Sequence, residues 1–109
     1  MQKVPTEYNL NLEALSVNRA WQGRRFKTRE YNKWIQDGLW LLKSLEAQKK
    51  PYKLEIDLYV NALMDIDNPL KPLLDLLKKG GIIEDDRYIE SLNVRKFISS
   101  DHKIVIRFV

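Results

Sequence analysis

The chain has 109 residues, 44% of them apolar and 31% charged, with a formal net charge of +4 and no cysteine. That length supports one modest core, the composition is that of a folded domain, and the missing thiols exclude disulfides and thiolate metal sites. No apolar run reaches the roughly 18 residues of a membrane span, and Met1-Gln2-Lys3-Val4-Pro5 has no signal-peptide core. The expectation is a single cytoplasmic domain over 1–109 with a mild lean toward polyanionic partners.

In chain order, residues 8–15 alternate, with Tyr8, Leu10, Leu12 and Ala14 opposite Asn9, Asn11 and Glu13, which predicts a strand. Residues 16–28 are polar, basic and aromatic and read as an irregular loop. From Thr28 to Gln48 a helical stripe runs through Tyr31, Trp34, Ile35, Leu42 and Leu45, so Tyr31 and Trp34 are expected in the core. Gly38 lies close to that stripe and weakens the helix by about 1 kcal/mol relative to alanine. A residue this small in that place lets another element pack close. Pro51 ends the segment. Leu54, Ile56, Leu58 and Val60 then alternate with Glu55, Asp57, Tyr59 and Asn61 in a second strand.

Past that strand stands Asp65-Ile66-Asp67-Asn68. Leu70, Leu73, Leu74 and Leu77 follow at helical spacing, with Asn68 or Asp67 as the cap, Pro69 at the first position and Pro72 in the first turn. Gly80-Gly81 breaks the helix before Glu84-Asp85-Asp86. Residues 88–98 and 103–109 are β-rich runs joined by Ser99-Ser100-Asp101-His102, which predicts a terminal hairpin. The order is β-α-β-α-β-β: an α+β domain with a mixed sheet and two helices.

The acidic clusters at the two ends of the second helix carry the chemistry. Asp65 and Asp67, two apart in extended chain, leave the same face. If the helix and glycine turn return the chain, Asp86 joins them, with Asp85 and Glu84 as alternatives. Carboxylates that close need a cation among them, and a hard ion such as Mg²⁺ takes oxygen ligands. Lys71, near the helix N-terminus, then suits a phosphate and offsets charge developing on it. Asp75, one turn on, pairs with Lys71 either to orient it or as a surface ion pair. The plain alternative is a cap, a turn and a solvated acidic loop. An EF-hand is excluded because Leu70 stands where that loop needs glycine. His102 reads as a surface histidine.

The run Asp65-Ile66-Asp67-Asn68-Pro69-Leu70-Lys71, then Leu74-Asp75 and Leu77, Gly81, Asp85-Asp86 and Ile89 resembles the RusA family of Holliday-junction endonucleases. Ser16-Val17-Asn18-Arg19-Ala20-Trp21, Gly23-Arg24-Arg25 and Tyr31 are similar to that family's N-terminal segment. The resemblance implies a Mg²⁺-dependent homodimeric nuclease, with Mn²⁺ as a possible substitute, that cuts four-way DNA junctions in recombination and repair. It implies Asp65, Asp67 and Asp86 as metal ligands and Lys71 as a catalytic or charge-stabilising partner. Where several members carry arginines before the first acid, this chain has Asn61-Ala62-Leu63-Met64. Positive charge gathers instead between residues 19 and 33, where Arg19, Arg24, Arg25, Lys27, Arg29 and Lys33 face one acid, Glu30. With Trp21, Phe26 and Tyr31 interleaved, that segment suits branched or single-stranded nucleic acid. The expected DNA contacts are Asn18, Arg19, Trp21, Arg24, Arg25 and Lys27. Two other readings compete: a metal nuclease for another branched or single-stranded substrate, and a DNA-binding protein that does not cut.

Overall fold

A computed structural model describes residues 6–16, 21–22 and 26–109. Its elements are β1 (Thr6–Leu10), β2 (Trp21–Gln22), β3 (Phe26–Lys27), α1 (Arg29–Leu42), β4 (Tyr52–Val60), α2 (Leu70–Lys79), a 3-10 turn (Asp86–Tyr88), β5 (Ile89–Ile98) and β6 (Lys103–Phe108). The main sheet has four strands in the order β1-β6-β4-β5, and β2 pairs with β3 in a separate ladder. This is the expected α+β domain with a mixed sheet and two helices.

One face of the sheet carries the core. Tyr8, Ile106 and Ile56 lie in one row across β1, β6 and β4, and Leu10, Ile104 and Leu58 in the next. All six are buried, and they pack in one cluster with Tyr31, Trp34, Ile35 and Leu42 of α1 and Leu73, Leu76 and Leu77 of α2. The two helices approach closely at Gly38: a Cβ there would come within 2.5 Å of a Leu76 methyl, so any larger residue forces Leu76 to shift. Tyr31 and Trp34 are core residues as expected, and the Trp34 indole N–H donates to the Glu13 carbonyl at 2.6 Å.

Several local expectations shift. β1 stops at Leu10 although Leu12, Ala14 and Leu15 stay buried, so the alternation outlasts the strand. Within the segment read as an irregular loop, residues 21–22 and 26–27 form a short ladder, with Trp21 opposite Lys27. α1 ends at Leu42, not Gln48, because the backbone beyond it bonds elsewhere. Glu46 O accepts from the Tyr8 hydroxyl at 3.2 Å, and Gln48 N–H donates to Ile82 O at 2.8 Å. α2 is capped by Pro69 in place of Asn68 or Asp67, with no side-chain cap bond, and Pro72 falls in the first turn as expected. It ends in a Schellman closure, Ile82 N–H to Leu77 O at 2.9 Å and Gly81 N–H to Lys78 O at 3.1 Å, for which Gly81 adopts φ +75.

The terminal hairpin is overturned. β5 and β6 are not neighbours; β4 lies between them, parallel to β5 and antiparallel to β6. The Ser99–His102 link steps across the end of β4, where Ser99 N–H donates to Val60 O at 3.0 Å. The largely buried β4 thereby bonds on both edges, and the exposed β5 takes the sheet margin.

Candidate metal centre and nucleic-acid interface

The parallel pairing of β4 and β5 governs where the acids lie. Asp65 and Asp67 follow the C-terminal end of β4, in a connection without helix or strand, and both are exposed. Asp65 accepts from Asn68 Nδ2 at 3.3 Å, and the Asp67 carbonyl accepts Leu70 N–H at 3.1 Å, which starts α2. Lys71 is exposed on the first turn of that helix.

Asp86 lies at the opposite end. β5 starts in register with Tyr52, the first residue of β4, so the 3-10 turn that precedes it stands beside the start of β4. Glu84 N–H donates to the Tyr52 hydroxyl at 2.9 Å, which ties the cluster there. Nine residues of β4 separate the two ends, about 30 Å at the usual strand rise. The expected convergence of three acids within one chain therefore does not occur. Among the described residues no three acidic or histidine side chains are grouped to hold a metal ion.

Within the second cluster the roles separate. Glu84 is engaged by Lys50 at 2.8 Å. Asp85 caps the 3-10 turn by accepting Arg87 N–H at 3.3 Å and lies 3.6 Å from Lys78. A hydrogen bond with the Asp86 carboxyl, then the Arg87 amide and the nearby Lys78 and Arg87 charges, hold the Asp85 carboxyl below its ordinary range. Two adjacent carboxyls within hydrogen-bonding reach form a pair that a cation relieves. Asp86, exposed at the start of the turn, is the member that neither caps nor pairs with a lysine in this way. By donor chemistry the three aspartates fit a hard divalent ion; by placement one chain supplies two at one end and one at the other.

Of the expected DNA contacts, Asn18, Arg19, Arg24 and Arg25 lie outside the described residues, while the backbones of Trp21 and Lys27 face each other across the β2–β3 ladder. Asp75 accepts from the Tyr31 hydroxyl at 3.4 Å. Burial first, then the Asp75 charge and hydrogen bond, push the Tyr31 phenol up to about 12. His102 is less exposed than a free surface histidine, and its Nδ1 lies 3.5 Å from Glu13 Oε1.

Two groups went unrecognised in the sequence. Asp57, buried on the open face of the sheet, is gripped by Arg95 and Arg107. Lys96 donates to the Met64 carbonyl at 2.8 Å and the Ala62 carbonyl at 3.4 Å, just before Asp65. Its signal was present: in Leu92, Val94, Lys96, Ile98 it is the charged residue in an apolar register.

A family model described as Endodeoxyribonuclease RusA matches residues 15–108. A crossover junction endodeoxyribonuclease RusA from Aquifex aeolicus (strain VF5) is 28% identical over 89 residues, which span 77% of this chain and 71% of that protein.

Proposed function

The chain belongs to the RusA family of endodeoxyribonucleases, and from that premise we propose that two copies of it form a Mg²⁺-dependent nuclease that resolves four-way DNA junctions in recombination and repair. The observation that carries this reading is the register of β4 with β5, which leaves Asp65 and Asp67 at one end of the sheet and Asp86 at the other. A second copy supplies what one chain lacks. β5 is a margin of the main sheet among the described residues. Antiparallel two-fold pairing of β5 with the β5 of a second copy sets the start of each strand beside the end of the other. Asp86 of the second copy then comes to the same end as Asp65 and Asp67, twice per dimer. Leu92, Phe97 and Ile98, respectively 41%, 37% and 70% exposed, are apolar side chains on that strand available for cover. Two sites related by a two-fold axis suit two opposed strands of a junction.

In this reading Asp65, Asp67 and Asp86 of the second copy hold the ion. Mg²⁺, with Mn²⁺ as a substitute, supplies Lewis-acid polarisation of the scissile phosphate and acidifies a water. Lys71 sits where the helix N-terminus already favours an anion, and it offsets charge building on the phosphoryl group or the leaving oxygen. Asn18, Arg19, Trp21, Arg24, Arg25 and Lys27 grip the junction arms. A protein at work on such junctions operates with the DNA in the cytoplasm of a bacterial or phage-infected cell. No described helix is long and apolar enough to cross a membrane.

Subunit mixing tests the reading. Asp67→Asn alone and Asp86→Asn alone each abolish Mg²⁺-dependent cutting of a labelled four-way junction while binding persists. In a heterodimer of the two variants, one site regains Asp65, Asp67 and Asp86, and nicking of one strand returns. A heterodimer verified by native mass spectrometry that stays inactive removes the shared site. Cutting retained by either variant alone removes the assignment of that acid. Binding without cutting by the unmodified protein in Mg²⁺ or Mn²⁺ favours a non-cleaving role.

A further inference from the structure

The Asp65–Asp67 connection is exposed and has little internal architecture. Leu63 N–H donates to Asn61 Oδ1 at 2.9 Å, Met64 N–H to Asn61 O at 3.4 Å, and Asn68 Nδ2 to Asp65 Oδ2 at 3.3 Å. Bonds spanning two or three residues shape a turn without fixing it to the sheet. Apolar packing adds little on either side of Met64: Leu63 is 93% exposed and Ile66 44%, while Met64 itself rests against the core.

Lys96 bridges that gap. It stands on β5 in register with Leu58, on the side of the sheet that carries the core. From the same row as Leu92, Val94 and Ile98, its ammonium meets Met64 O at 2.8 Å and Ala62 O at 3.4 Å. Met64 O belongs to the peptide unit that leads directly into Asp65. A charged donor on two carbonyls fixes backbone more firmly than a neutral one. The placement of Asp65 relative to the end of β5, where the second copy would deliver Asp86, follows from it.

We propose that Lys96 is a positioning residue that anchors the Asp65–Asp67 connection to β5 and so holds the two carboxylates where the ion and the scissile phosphate are bound; the catalytic half of this inference rests on the functional reading above. It acts through the backbone and touches neither DNA nor metal.

Two variants test it. Lys96→Met keeps the stem and loses the ammonium; Lys96→Arg keeps charge and reach. Amide hydrogen exchange over residues 61–68, Mn²⁺ binding by electron paramagnetic resonance on the DNA-free protein, and the Mg²⁺ dependence of junction cutting are measured on both. Lys96→Met is expected to melt as a folded protein, to exchange faster across 61–66, and to bind Mn²⁺ about tenfold more weakly, the loss typical when support behind a ligand is removed. The Mg²⁺ needed for half-maximal cutting should rise by a similar factor, and Lys96→Arg should restore most of each property. Unchanged exchange and Mn²⁺ affinity in Lys96→Met overturn the proposal. So does loss of cutting at every Mg²⁺ concentration with unchanged exchange, which would place Lys96 on the DNA. If Asp67→Asn binds Mn²⁺ as the unmodified protein does, the acid assignment has failed. Faster exchange in Lys96→Met then still supports the anchor, so the two failures are distinguishable.

Discussion

On the open face of the sheet Asp57 is 5% exposed, an unusual place for a carboxylate, and two arginines make it tenable. Arg95 Nε and Nη2 donate to its two oxygens at 2.9 and 3.1 Å, and Arg107 Nη2 donates to Oδ2 at 2.6 Å. Burial pushes the Asp57 carboxyl up, but the hydrogen bonds and charges of Arg95 and Arg107 outweigh it, and the net shift is down. A lowered carboxyl contributes stability that is present above its unfolded value and lost as pH falls through the folded one. Asp57→Asn should therefore cost about 2 kcal/mol at pH 7, below the 3–5 of a fully buried pair because Arg95 stays half in water. The difference from the unmodified protein should shrink below about pH 4 in urea titrations. Tyr31 gives the alkaline counterpart. Its phenol, raised to about 12, stays protonated in the fold, so its contribution is whole below the unfolded value of about 10 and declines as pH rises toward 12. Tyr31→Phe should cost about 1 kcal/mol at pH 7 and flatten that alkaline decline in thermal melts. Neither residue was legible as a partner in the sequence: Asp57 pairs across strands 38 and 50 residues away, and Tyr31 meets Asp75 44 residues on.

Helix α1 and helix α2 approach most closely at Gly38, beside the Tyr31–Asp75 hydrogen bond. An added Cβ at Gly38 would lie 2.5 and 2.7 Å from the Leu76 methyls, and Leu76 is fully buried, with little room to retreat. Gly38→Ala should thus destabilise by about 1–2 kcal/mol, the overpacking cost exceeding the gain of up to about 1 kcal/mol in helix propensity. Chemical denaturation measures it, and a stabilised variant would show that Leu76 repacks freely. The sequence already pointed to a close approach at Gly38, because a glycine within an apolar helical stripe has few other uses. The helix limits were less legible. Beyond Leu42 the pattern still offered Leu45, but tertiary bonds to Tyr8 and Ile82 took the backbone groups that further turns would have used.

At the scale of the molecule, the margin strand β5 should make association measurable. If its edge carries the second copy, Ile98→Asp with Leu92→Lys should convert the dimer to monomer in sedimentation velocity, abolish cutting, and leave the thermal melt of the monomer near that of the parent. A dimer that survives the double change would move the interface elsewhere. That pairing would also give a chain with Asp65 and Asp67 at one end and Asp86 at the other complete sites. The salt dependence of junction binding tests the basic segment. Arg24→Ala with Arg25→Ala should make the slope shallower by up to about two units, and an unchanged slope would free both from the phosphates.

The sequence by itself determined the α+β class, the two helices, the buried faces of Tyr31 and Trp34 and the family, because periodicity, glycine placement and the Asp-Ile-Asp-Asn-Pro-Leu-Lys run are local properties. Strand neighbours and the meeting of side chains distant in the chain were decided by the tertiary structure. Two β-rich runs joined by a four-residue turn look like a hairpin on local grounds, yet β4 enters between them, where the backbone groups on both its edges find partners. That choice makes β5 parallel to β4, carries Asp86 a full strand length from Asp65, and brings Lys96 to the backbone in front of it.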